Sequence, residues 1–324
     1  MRRKRGKKMM RNGAIYVWLG TLLCAVLVNL SWGMWGLTPA MQHAIFVEVR
    51  LPRVLEALFA GIGLTVAGQM FQTILNNPLA DSYTLGLASG ATFGSGLAVV
   101  LGAGFIMLPL FSILFSLITL LLVIVITTMM SKGYPMKSLI LSGIIIGALF
   151  NALLYMMILF NQDKMNNIVN YMFGGFSAAE YREVIYIAII LICCIVVLYS
   201  MMPKIKLLRL GDLHAQGLGL NAQQLTYGVL LLASIMTAII IAFVGIIGFI
   251  GMVIPQLIRR YYFKYTLSKQ LTLNMLIGGT TMLIADGVGG IILQTYQIPA
   301  SIIIAIIGIP VLFYLMITQP KTLN

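Results

Sequence analysis

The chain has 324 residues, 60% of them hydrophobic and 9% charged, with a formal net charge of +13. A soluble domain carries about 25% charged residues, so a soluble fold is excluded and a polytopic helical membrane protein is the class that fits. No hydrophilic stretch is long enough to fold separately, so 1–324 reads as one membrane domain.

Residues 1–12 hold seven lysines and arginines, a cytoplasmic basic N-terminus that also suits anionic lipid. The apolar run 13–37 is too long for a signal peptide and has no small-residue cleavage site, so it is the first membrane helix. Next comes Arg50-Leu51-Pro52-Arg53 at the head of the second crossing, 51–75. Pro52 fits the first turn of a helix. The 22 residues of 54–75, at about 1.5 Å each, cross a hydrocarbon core of roughly 30 Å. Asn77-Pro78 stops that helix. Arg50 and Arg53 therefore lie at one membrane face, and 76–81 near the other. Glu56 follows Arg53 by three residues, a spacing that pairs them on one helix face. Further crossings are expected at 83–104, 108–130, 138–160, 184–202, 225–244, 245–258, 271–293 and 301–317. The eighth is short, and its glycines at 245, 248 and 251 allow close contact or local distortion.

Ten crossings put both termini on one side, and the basic residues test this. Seventeen of the 21 lysines and arginines fall on the N-terminal side; Arg50, Arg53, Lys164 and Arg182 fall opposite. Basic residues concentrate in cytoplasmic loops, so both termini are cytoplasmic. The same placement in short loops argues against nucleic acid as the reason for the positive charge. Between the sixth and seventh crossings lies the cytoplasmic loop 203–224. Within it Asp212 can open a short helix and Gly217 or Gly219 can end it. Leu213 and Leu218 would be exposed apolar residues unless a partner or the lipid surface covers them.

These residues also carry a resemblance. Arg50-Leu51-Pro52-Arg53, Asn77-Pro78-Leu79-Ala80-Asp81 with Leu85-Gly86, Gly245-Ile246-Ile247-Gly248-Phe249-Ile250-Gly251 to Pro255, Ala285-Asp286, and Ile298-Pro299 to Gly308-Ile309-Pro310 resemble the FecCD-type permeases. Those are the membrane subunits of type II ABC importers for ferric siderophores, haem and cobalamin. The motifs stand in family order over nearly the whole chain. The resemblance implies an all-α permease of about ten transmembrane helices in a bacterial cytoplasmic membrane. It implies a pair of permeases, this chain twice or with a similar partner, with two ABC ATPase subunits and an extracytoplasmic substrate-binding protein. The cargo it implies is an iron chelate: ferric siderophore first, haem second, cobalamin third. It casts Arg50 and Arg53 as docking residues for the binding protein, against the alternative of interfacial arginines that snorkel to lipid headgroups. It makes Asp212, Leu213, Gln216, Gly217, Leu218 and Gly219 the coupling segment that docks into the ATPase, and Met136, Lys137 and Ser138 the inner gate. Two positions depart from the pattern. Pro255-Gln256 stands where proline-histidine is common, and Gly290 stands where some members have an external arginine, leaving Gln294 or Gln297 as a third anchor.

The chemistry-bearing residues are few. Glu56 and Asp286 are the intramembrane carboxylates, which mark function by default. Asp286 would serve a cation-coupled secondary transporter, the competing class; the resemblance implies instead that it caps a broken helix or bonds a neighbouring one. His43 has no nearby histidine partner, and Cys24, Cys193 and Cys194 show no ligand spacing, so no metal or cofactor is expected on this chain. The 21 methionines are spread as packing residues. No G-x-x-x-x-G-K-S/T occurs, so ATP belongs to a partner subunit, and the chain itself is not expected to be an enzyme.

Overall fold

The computed structural model describes residues 13–32, 38–130, 136–165, 168, 172–209, 217, 219–292 and 297–318. Among them lie α1 (Gly13–Ser31), α2 (Pro39–Ala44), a π-helical turn (Ile45–Arg50), α3 (Leu51–Ile74), α4 (Leu87–Val100) and α5 (Met107–Met130). After these come α6 (Met136–Phe160), α7 (Tyr181–Leu208), α8 (Ala222–Val244), α9 (Ile250–Tyr261), α10 (Leu267–Ile292) and α11 (Ala300–Ile317). The segment Pro39–Ile74 is one apolar rod of 36 residues, so the described helices make ten rods, eight of them long and apolar enough to cross a membrane. The other two, α4 and α9, have 14 and 12 residues. At about 1.5 Å per residue they fall short of a roughly 30 Å core.

These two short helices are where the observed boundaries depart from the expected ones. The third crossing opens at Leu87, not at 83, because Asp81 folds the chain into a turn. Its Oδ1 accepts the backbone N–H of Tyr83 at 3.1 Å and of Thr84 at 2.8 Å. Gly86 then takes φ 70°, beside the carbonyl of Gly143 in α6. The eighth crossing is helical only from Ile250. Residues 245–249 are non-helical, Gly245 has φ 80°, and Phe249 holds the left-handed φ of 65° that a bulky residue rarely adopts. The expected boundary near Gly245 between the seventh and eighth crossings is therefore a break in the helix.

The two most deeply enclosed helices are α3 and α8, with 78% and 67% of their spanning windows buried, whereas α1 has none. Lipid tails are as apolar as leucine, so outward side chains such as Val17, Leu23 and Leu27 carry no penalty there, and close fit and polar contacts decide the packing. Glycines set that fit. A Cβ on Gly68 would stand 1.8 Å from the Gly251 carbonyl oxygen, so α3 and α9 touch backbone to backbone. Polar pairs lock α3 to α10: Thr65 Oγ1 donates to the Asn274 carbonyl at 3.0 Å, and Asn274 Nδ2 to Gln69 Oε1 at 2.8 Å.

Candidate functional site

Among the described residues, two polar regions coincide with helix ends and helix breaks. One is the end of the bundle where α3 begins and α10 ends. The Arg53 fork grips Asp286 with Nε to Oδ2 at 2.7 Å and Nη2 to Oδ1 at 3.0 Å. Gln297 Nε2 adds a bond to Asp286 Oδ1 at 2.9 Å, and Ser177 Oγ donates to Gln297 Oε1 at 3.2 Å. This chain of bonds ties α3 and α10 to the segments that lead into α7 and α11. The Tyr181 hydroxyl, donating to the Val47 carbonyl, adds the π turn. Two parallel charge-assisted bonds make the Arg53–Asp286 contact both strong and directional.

One expectation is corrected here. Arg53 does not pair with Glu56, which is 1% exposed and whose Oε1 has no hydrogen-bond partner. The carboxylate that Arg53 reaches lies 233 residues away rather than three. Asp286 bonds a neighbouring helix, one of the two roles expected of it. Arg50 donates from Nη1 to the Asn29 carbonyl of α1 at 2.8 Å. Gln297 is engaged within the chain, and Gln294 lies outside the described residues. A Cβ on Gly290 would stand 3.8 Å from Arg53 Nη2. Gln297, Ser177 and Asn29 have no motif of their own; only the Gln297 position carried a signal, its closeness to Asp286 in sequence.

The second region gathers the two breaks. Asp81, Tyr83, Phe173, Gly248, Phe249 and Ser301 share a cavity of about 380 Å3 that reaches α11. The Tyr83 hydroxyl is buried without a partner. Asp81 is buried in its turn, its Oδ1 held by the backbone N–H groups of Tyr83 and Thr84. Non-helical backbone at membrane depth is tolerated where protein buries it or where it lines a water-filled cavity, and discontinuous helices recur at transporter substrate sites.

Of the other expected site residues, Met136, Lys137 and Ser138 open α6. Asp212, Leu213, Gln216 and Leu218 lie outside the described residues. Gly217 is described, and Gly219 has the left-handed φ of 76° with nothing near its missing Cβ.

With this architecture in view, comparison with known proteins is decisive. The model of the FecCD transport family matches residues 14–318. The chain belongs to the FecCD transport family. It is accordingly an ABC transporter permease subunit and a multi-pass membrane protein, as its motifs imply. The permease is 35% identical to the Fe(3+)-citrate import system permease YfmE of Bacillus subtilis, covering 90% of this chain and 86% of that one. It is 33% identical to the molybdate import system permease MolB of Haemophilus influenzae, covering 87% and 83%. Among solved structures, a proposed metal-chelate type ABC transporter in an inward-facing conformation covers 96% of this chain and all of its own, with 30% identity and a TM-score of 0.85.

Proposed function

We propose that this permease carries an iron chelate, with a ferric siderophore as the first candidate, inward across a bacterial cytoplasmic membrane. The observation that carries this reading is the match over 96% of the chain to a transporter of metal-chelate type. The iron-citrate relative adds weight. A second reading, molybdate, is favoured by the 33% identity to MolB. Haem and cobalamin follow. A cation-coupled carrier is disfavoured, because Asp286 is held by Arg53 and Gln297 rather than standing open to a cation.

The cavity at Asp81, Tyr83 and Phe249 is the stretch of this chain best suited to line the path, since both helix breaks meet there. Two copies of the chain, or this chain with a similar one, would enclose the rest. ATPase subunits supply the energy and meet the permease at 203–224, through the segment that holds Asp212, Leu213, Gln216, Gly217, Leu218 and Gly219. An extracytoplasmic binding protein docks over the end where Arg53 stands, its fork fixed by Asp286 and its side chain 24% exposed. Met136, Lys137 and Ser138 line the exit. Both termini are cytoplasmic, in line with the distribution of basic residues.

The test is uptake by permease, ATPase and binding protein reconstituted together in liposomes. ATP-dependent entry of a ferric chelate, with no entry of molybdate, is expected. Molybdate entry without chelate entry would overturn the cargo. In the same system Leu213→Asp should strip the ATPase from the purified complex, by placing a charge in an apolar contact. Undiminished recovery of the ATPase would overturn the coupling assignment.

A further inference from the structure

A larger cavity, of about 830 Å3, runs along the outside of the bundle between α1, α3 and α10. Its long walls are apolar: Val17, Cys24 and Val28 from α1, Val54 from α3, Ile284 and Ile291 from α10. No residue of α1 is buried, so this groove opens to the bilayer. Residues 17 to 32, along α1 and the turn that ends it, border it, and 15 steps of about 1.5 Å make roughly 22 Å. That exceeds half of a roughly 30 Å hydrocarbon core, the depth that an acyl chain of one leaflet fills.

Charge is confined to one end of the groove. Arg50, Arg53 and Asp286 line it there, beside Asn29 and Trp32. Arg53 and Asp286 neutralise each other. Arg50 has a carbonyl for Nη1, no acid, and a buried Nε without a partner. Among the described lining residues it is therefore the one charge without a counter-charge. A cation drawn partly out of water at an apolar wall needs an anion beside it. The occupant must be amphiphilic: an anion at the Arg50 end and a hydrocarbon tail along α1. A zwitterionic headgroup would bring an ammonium to a place whose one lining carboxylate, Asp286, already holds Arg53 and Gln297. Trp32, 56% exposed at the same end, suits the headgroup level of a membrane.

We propose that this groove binds one anionic phospholipid, its phosphate on Arg50 and an acyl chain lying between α1, α3 and α10. Arg50 then holds the lipid while Arg53 holds Asp286, a division of labour that the sequence motif joining them conceals.

The full-length permease, purified in mild detergent, is mixed with phosphatidylglycerol or phosphatidylcholine of identical chains and examined by native mass spectrometry. One phosphatidylglycerol should survive activation that removes other lipid, with about tenfold preference over phosphatidylcholine. Arg50→Gln should abolish that preference, and Arg50→Lys should keep most of it. Val28→Trp, which fills the groove and leaves the charge, should reduce retention of both lipids while the protein elutes and melts as wild type. Equal retention of the two lipids by wild type would overturn the proposal. So would undiminished phosphatidylglycerol on the Gln variant, unchanged retention on the Trp variant, or displacement of the lipid by inorganic phosphate alone.

Discussion

Removing Asp286 leaves Arg53 with its fork aimed at a neutral group. In Asp286→Asn the side chain keeps its shape and an acceptor for Gln297, but the ion pair is gone. Breaking a buried pair costs about 3–5 kcal/mol. Arg53 is 24% exposed while Asp286 is 4% exposed, so the stranded guanidinium recovers some hydration and the cost should fall to about 2 kcal/mol. At roughly 2–4 °C per kcal/mol, the apparent melting temperature in detergent should drop by about 4–8 °C. Arg53→Met strands the carboxylate, the more buried partner, and should cost at least as much. The double variant Arg53→Met/Asp286→Leu replaces the pair by apolar side chains and should recover most of the loss, because such replacements are often neutral. A double-mutant cycle on melting therefore yields a coupling of at least about 1 kcal/mol. If both single variants melt within about 1 °C of wild type, or if the effects simply add, the pair does not hold α3 to α10 and the account of this site is wrong.

Gly68→Ala drives a Cβ into the Gly251 carbonyl and should cost about 3 kcal/mol or more, seen as lost yield of monodisperse protein. Gly20→Ala meets nothing within 4 Å and should express and elute as wild type.

Much of this was legible in the chain itself. The membrane class follows from 9% charge, because a bilayer tolerates few charged groups. The crossings follow from apolar runs, because in lipid each rod must satisfy its own backbone and so announces itself locally. The family follows from motifs in order. Local chemistry even located the weak points: Asn77-Pro78 ends α3, and the glycines at 245, 248 and 251 surround the break before α9.

Pairing across the bundle was not legible. Sequence spacing offers Arg53 the acid at i+3, but Arg53 instead reaches Asp286 on α10, whose carboxylate also accepts from Gln297. Nor does composition say that Arg50 turns to the Asn29 carbonyl of α1 while Arg53, three residues on, turns to Asp286 of α10. A helix sets neighbours one turn apart by its own geometry. Which of its faces meets another helix depends on where glycines such as Gly61 and Gly68 let two backbones close together, and that contact exists only once the bundle has formed.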